Sequence, residues 1–170
     1  LPPKTGMPIQ IANKEPKQEV TFTNYLQTII GQTTDEEISK YRDLKKTEGL
    51  GNGRIAYYFP SSDPLRDNIV ETKDGKAIFK RVDAITSSDY QVGRFAPYLE
   101  QYGRADAEFT GSGRYGPMYK TYIYTNRGFA FIVSPENDAV YEIQSFIPVT
   151  VDAYLINWGD DIRQAKEQEL

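Results

Sequence analysis

The pattern F-x-x-Y-L occurs twice in the chain, as Phe22-Tyr25-Leu26 and as Phe95-Tyr98-Leu99, 73 residues apart (22 to 95). Each copy is followed by a glycine (Gly31, Gly103), a glycine-rich stretch, a tyrosine-rich strand and a β-hairpin pattern. Self-similarity constrains the fold strongly, because both halves must be able to form the same supersecondary unit. The expected architecture is α+β. It consists of two tandem, related helix-plus-antiparallel-sheet modules of ααβββ type over residues 20–89 and 90–170, with helices on one sheet face and a C-terminal amphipathic helix. Residues 1–19, with Pro2, Pro3, Pro8 and Pro16 among alternating charges, form the expected tether.

The local patterns support this order. Phe22, Tyr25, Leu26, Ile29 and Ile30 follow helical spacing, and Gly31 ends the stripe. Thr34 and Glu37 form a capping box ahead of a helix through Ile38 and Tyr41. Residues 49–53, Gly-Leu-Gly-Asn-Gly, read as a loop and Ile55 to Phe59 as a strand. Asn68 to Thr72 and Ala77 to Ile85 form a hairpin about Asp74-Gly75. The second half repeats the order. A helix runs from Phe95 to Tyr102, followed by a poorly patterned stretch and then strands Tyr119–Tyr124, Phe129–Val133 and Ala139–Ile147. Beyond Pro148, a single helix is expected over 151–168.

Composition narrows the chemistry. The chain has no Cys and no His, which removes thiol nucleophiles, disulfides, histidine acid–base schemes and the usual zinc sites. No metal site, cofactor or catalytic constellation is expected. Net charge is −4 and the pI about 5.0, which argues against a nucleic-acid partner. No run of 18 apolar residues is present to span a membrane. The chain begins at Leu1 rather than Met, so a signal peptide or lipid anchor is expected ahead of it.

Several residues carry a family resemblance. They are Tyr98-Leu99-Glu100-Gln101-Tyr102-Gly103, Tyr122-Ile123-Tyr124, Arg127-Gly128-Phe129-Ala130-Phe131 and Val140-Tyr141-Glu142-Ile143 with Phe146 and Pro148. Together with Phe22–Gly31, Thr34–Ile38 and Tyr57–Phe59, this resembles the tandem repeats of the beta-lactamase-inhibitor-protein-like superfamily, which includes the SmpA/OmlA lipoproteins. Arg104-Ala105 stands where that pattern usually has a proline. The resemblance implies an exported or lipid-anchored bacterial protein that binds other proteins through its sheet and does no catalysis.

A second pattern points elsewhere. Arg127-Gly128-Phe129-Ala130-Phe131-Ile132 is similar to the β3 signature of an RNA recognition motif. Ser134, however, replaces the signature's final aromatic, and Lys80-Arg81 follow Phe79 where an apolar residue belongs, so the stacking platform for bases is incomplete. RNA binding, an envelope enzyme and a small-molecule carrier remain the alternatives. The preferred expectation is a non-catalytic, extracytoplasmic protein that binds another protein or an envelope component. Tyrosine is the most abundant aromatic (13 residues) and offers large contact area at low entropy cost. The candidate contacts are therefore Tyr57, Tyr58, Tyr115, Tyr119, Tyr122, Tyr124, Tyr141 and Arg127.

Overall fold

The computed structural model describes residues 25–84 and 93–167. The expected tether lies outside them, as do Phe22 and Ile85. The described chain is α+β, with one eight-stranded antiparallel sheet in the order β1-β2-β3-β4-β8-β7-β6-β5. The strands are β1 Lys46–Gly51, β2 Arg54–Phe59, β3 Asn68–Lys73, β4 Lys76–Asp83, β5 Ala107–Ser112, β6 Gly116–Tyr124, β7 Phe129–Val133 and β8 Val140–Phe146. The helices are α1 Asp35–Ser39, α2 Ala96–Tyr102, α3 Val151–Trp158 and α4 Asp160–Glu167. Each half of the chain contributes a four-strand meander. The two meet where β4 pairs β8, with Phe79 opposite Phe146 and Asp83 opposite Glu142.

The sheet is larger than three strands per half. The missing strands are the two edges. β1 replaces the expected loop around Gly49-Leu50-Gly51, and every residue in it is exposed, so no alternation of apolar side chains marks it. Asn52 and Gly53, both at positive φ (52° and 73°), turn it back onto β2, the geometry of a two-residue type I′ hairpin. β5 arises within the stretch that lacked a pattern; only Ala107 and Phe109 face inward before Gly111. The expected hairpin at Asp74-Gly75 is present with the same geometry (φ 49° and 87°).

Two helical expectations are corrected. Over its described part, the first stripe is a single 3-10 turn, Tyr25–Gln27. The amide of Ile29 donates to Thr33 Oγ1 (2.8 Å) and that of Gly31 to Ala77 O (2.7 Å), so these donors leave the helical ladder. The C-terminal segment is two helices, interrupted at Gly159. A Cβ there would stand 2.7 Å from the Leu155 carbonyl oxygen. The capping box at Thr34 and Glu37 forms as expected, with Thr34 N donating to Glu37 Oε2 (2.7 Å).

Helices occupy both faces, which corrects the expectation of one free side. The 3-10 turn and α1 cover the first half of one face. There Tyr25 stacks on Phe59 (centroids 4.5 Å apart), and Ile38 and Tyr41 pack among Tyr57, Val70 and Val82. α2 covers the second half of the same face through Phe95 and Tyr98 on Tyr122 and Phe131. α3 and α4 lie on the opposite face. Tyr154, Trp158 and Ile162 pack there against Phe79, Ile123, Ala130 and Phe146. Alternation along the central strands dictates this arrangement, because both faces of β4 and β8 carry apolar groups.

One charge lies inside the first half. Lys80 is buried, and its Nζ donates to the carbonyls of Leu26 (3.0 Å) and Thr28 (3.1 Å), tying β4 to the 3-10 turn. Burial lowers its pKa to about 8. The unfolded amine titrates near ~10.4, so between about pH 8 and pH 10 the unfolded chain holds more protons and stability rises with pH. Burial also raises Tyr58, up to about 12, so stability falls again once unfolded tyrosines ionise above pH ~10. Because buried tyrosines lose stability over the same range, the Lys80 contribution is read as a difference. In urea melts from pH 7 to 10, wild type is expected to gain roughly 2 kcal/mol relative to Lys80→Met between pH 8 and 10.

Candidate functional site

Strand register defines what the second face offers. Tyr58 on β2, Ile69 and Glu71 on β3, and Phe79, Arg81 and Asp83 on β4 point to the side that carries α3 and α4. Those helices lie over the second half, and the end of α3 reaches Phe79 and Glu71 of the first; the described helices leave the rest of the first half of this face open. Tyr58, Ile69 and Arg81 there line a cleft of about 330 Å³ with Leu65, Arg66, Asp67, Arg114 and Asp161. A smaller hollow of about 120 Å³ shares Ile69, Arg81 and Asp161 with it and runs on to Phe79, Asn157 and Trp158.

A buried polar network fixes the wall of this cleft. The β5–β6 turn is held by Ser112 Oγ, which accepts the amides of Arg114 and Tyr115 (both 3.2 Å). From that turn Arg114, 7% exposed, donates to the carbonyls of Arg66 (2.8 Å) and Asp67 (3.3 Å) in the β2–β3 loop. Its Nε lies 3.5 Å from Oε2 of Glu142, which is 0% exposed. The Tyr115 hydroxyl donates to the same oxygen (3.0 Å), and Gln144 Nε2 donates to Glu142 Oε1 (2.8 Å). Tyr154 Oη in turn donates to Gln144. Burial first, and then the charge of Glu142, push the Tyr115 phenol well above its usual range.

At the open end of the network, Arg81 is half-buried. Its Nη2 makes one long bond to the Asp67 carbonyl (3.4 Å), and its Nε meets no acceptor. On the other side of the hollow, Glu71 accepts from Arg54 and from Trp158 Nε1 (3.0 Å), which anchors α3 across the junction of the two halves.

The expected tyrosine row divides into two sets. Tyr115, Tyr119 and Tyr141 converge on the second face, with ring centroids 5.1–5.8 Å apart, and the guanidinium of Arg66 sits 5.5 Å over Tyr115. Tyr58 lies on the same face, its hydroxyl donating to Glu48 (2.9 Å) and its ring under Lys46 Nζ (4.2 Å). Tyr57 (4% exposed) and Tyr124 (2% exposed) are core residues beneath the helices of the first face, with hydroxyls donating to Asp35 and to the Gly103 carbonyl (both 2.8 Å). Tyr122 is stacked on Phe95 (4.2 Å). Arg127 is exposed, but on the far face, over the Tyr102 ring (5.3 Å). The aromatics of the RNA-like signature, Phe129 and Phe131, pack beneath α2.

Sequence reasoning missed Arg66, Arg81, Arg114 and Glu142. At Glu142 the signal was present: an acid between Tyr141 and Ile143 on a strand with apolar patterning marks either a polar network or a site.

No family model matches the chain, and no curated protein matches it in sequence. Among solved structures, a cysteine-rich secretory protein from Staphylococcus aureus superimposes with a TM-score of 0.44 at 12% identity, over 74% of this chain and 44% of that one. A likeness of that size bears on neither fold nor function.

Two outcomes test this geometry. Tyr124→Ala is expected to cost about 3–5 kcal/mol in a chemical denaturation curve, and Tyr119→Ala under about 1 kcal/mol. Glu142→Leu alone is expected to cost about 3–5 kcal/mol by stranding Arg114, and Arg114→Met combined with Glu142→Leu to recover much of it.

Proposed function

We propose that this chain is a non-catalytic binding protein that works outside the cytoplasm and recognises another protein or a cell-envelope component. In this reading it is built from two related helix-plus-meander modules. The order of strands within each half and the two F-x-x-Y-L copies support the duplication. Tyr25 of the first copy packs on Phe59 and Tyr98 of the second on Phe131, each on its own half.

One observation carries the binding reading. The Tyr115–Tyr119–Tyr141 cluster of the second half stands beside a cleft containing three guanidinium groups, and the cleft opens onto the part of the second face that the described helices leave uncovered. Tyrosine and arginine are the residue types that dominate binding hot spots, because each offers a broad planar contact with a polar end. Tyr115 is held from behind by the Glu142 network, so the ring on which Tyr119 and Tyr141 pack is pre-ordered and loses little entropy on association.

Immobilised wild-type protein is expected to retain a specific component of an envelope extract. The Tyr119→Ala/Tyr141→Ala double variant is expected to lose that component while still melting cooperatively, within a few degrees of wild type. Equal retention by both proteins removes the Tyr cluster as the contact.

A further inference from the structure

The binding reading above leaves the partner's chemistry open, and the inference here rests on that reading and concerns the same face. The cleft and the hollow next to it share Ile69, Arg81 and Asp161, so they form one groove between the sheet and the start of α4, with Arg81 at its middle. The ionic groups along it are unequal in engagement. Asp67 is taken by Lys45, Glu71 by Arg54 and Asp160 by Arg163, and Arg114 lies against Glu142. Arg66 has only the solvent-exposed Asp63 at 3.6 Å, a pair that contributes little. Arg81 lines the groove, pairs with no carboxylate among the described residues, and has its Nη2 on a single long bond to the Asp67 carbonyl (3.4 Å). A half-buried guanidinium in that condition is costly unless an anion meets it, and its planar fork matches a carboxylate in two-point geometry.

The rest of the groove selects the kind of anion. Tyr58, Ile69 and Leu65, the last 90% exposed, give it an apolar flank at one end. Asp161, on the α4 wall, would repel a free anion but accepts a hydrogen bond from an amide. We propose that the groove receives an extended peptide segment of a partner protein, with an Asp or Glu side chain on Arg81 and Arg66. An aliphatic neighbour of that residue lies on Ile69 and Leu65, and a backbone N–H donates to Asp161. The Tyr115 cluster borders the Arg114 end of the groove and extends the same contact.

The test uses the isotopically labelled full chain and a capped heptapeptide, glutamate at its centre and leucine beside it, with its glutamine counterpart, sodium acetate and sodium phosphate as the other arms. The glutamate peptide is expected to shift the amides of Ile69, Arg81 and Asp161 saturably. The glutamine peptide and both free anions are expected to bind at least tenfold more weakly. Arg81→Gln is expected to abolish the preference for glutamate. Leu65→Glu, an exposed change that leaves folding intact, is expected to weaken the peptide at least tenfold and decides the matter if Arg81→Gln fails to fold. Equal affinity for the two peptides, binding of phosphate or acetate as tight as the peptide, or no shift at millimolar peptide overturns the proposal. An envelope component lost by the tyrosine double variant but indifferent to Leu65→Glu leaves the binding reading standing and removes this inference alone.

Discussion

The pairing of β4 with β8 makes one body of two halves. Each half closes its own meander through hairpins between strands adjacent in sequence. The join is the long-range step, and its register is set by side chains. Phe79 and Phe146 are opposite each other on the second face, and Trp158 packs on both rings (4.7 and 5.4 Å). A slip of one residue would turn these rings to the other face and bring Lys80 and Ser145 beneath α3. α3 therefore depends on the join, and the position of α4, and with it one wall of the groove, depends on α3.

The polar groups along that join explain why the groove keeps its shape. Glu142 is wholly buried, and a buried carboxylate is tolerable only with several donors. It has Tyr115 and Gln144 as hydrogen-bond donors, with Arg114 as counter-charge. Arg114 begins in the second half and ends on carbonyls of the first, so the network spans the two meanders. Apolar residues of equal volume would stabilise the join as well or better. What the network adds is a fixed position for the β2–β3 loop that rims the groove. Asn68 does the same from inside the first half, donating to Tyr25, Pro60 and Asp83 while its carbonyl accepts the Asp83 amide.

Much of the fold was legible where local chemistry dictates local geometry. Thr34 with Glu37 marks a helix start because the orphan amides of a first turn need acceptors. Asp74-Gly75 marks a hairpin because both turn positions need positive φ. The edge strands escaped for the opposite reason. Lys46–Gly51 pairs with β2 on one edge only and buries no side chain, so hydrophobic periodicity has nothing to report. The stripe at Tyr25–Ile30 has helical spacing but not helical hydrogen bonds, because Thr33 and Ala77 take its amides.

The sequence by itself determined the class of the protein: helices with antiparallel strands, aromatic cores in both halves, and chemistry limited to carboxylates, amines, hydroxyls and guanidinium groups. It also named the tyrosines, because their abundance is visible in any reading. Only the tertiary structure decided which of them are core, since Tyr57 and Tyr58 are neighbours in sequence but lie on opposite faces of one strand. It alone brought Arg81, Arg66 and Asp161 from three distant segments to one groove. Neither periodicity nor propensity carries that information, because the register of the β4–β8 join and the break at Gly159 depend on contacts between residues far apart in the chain.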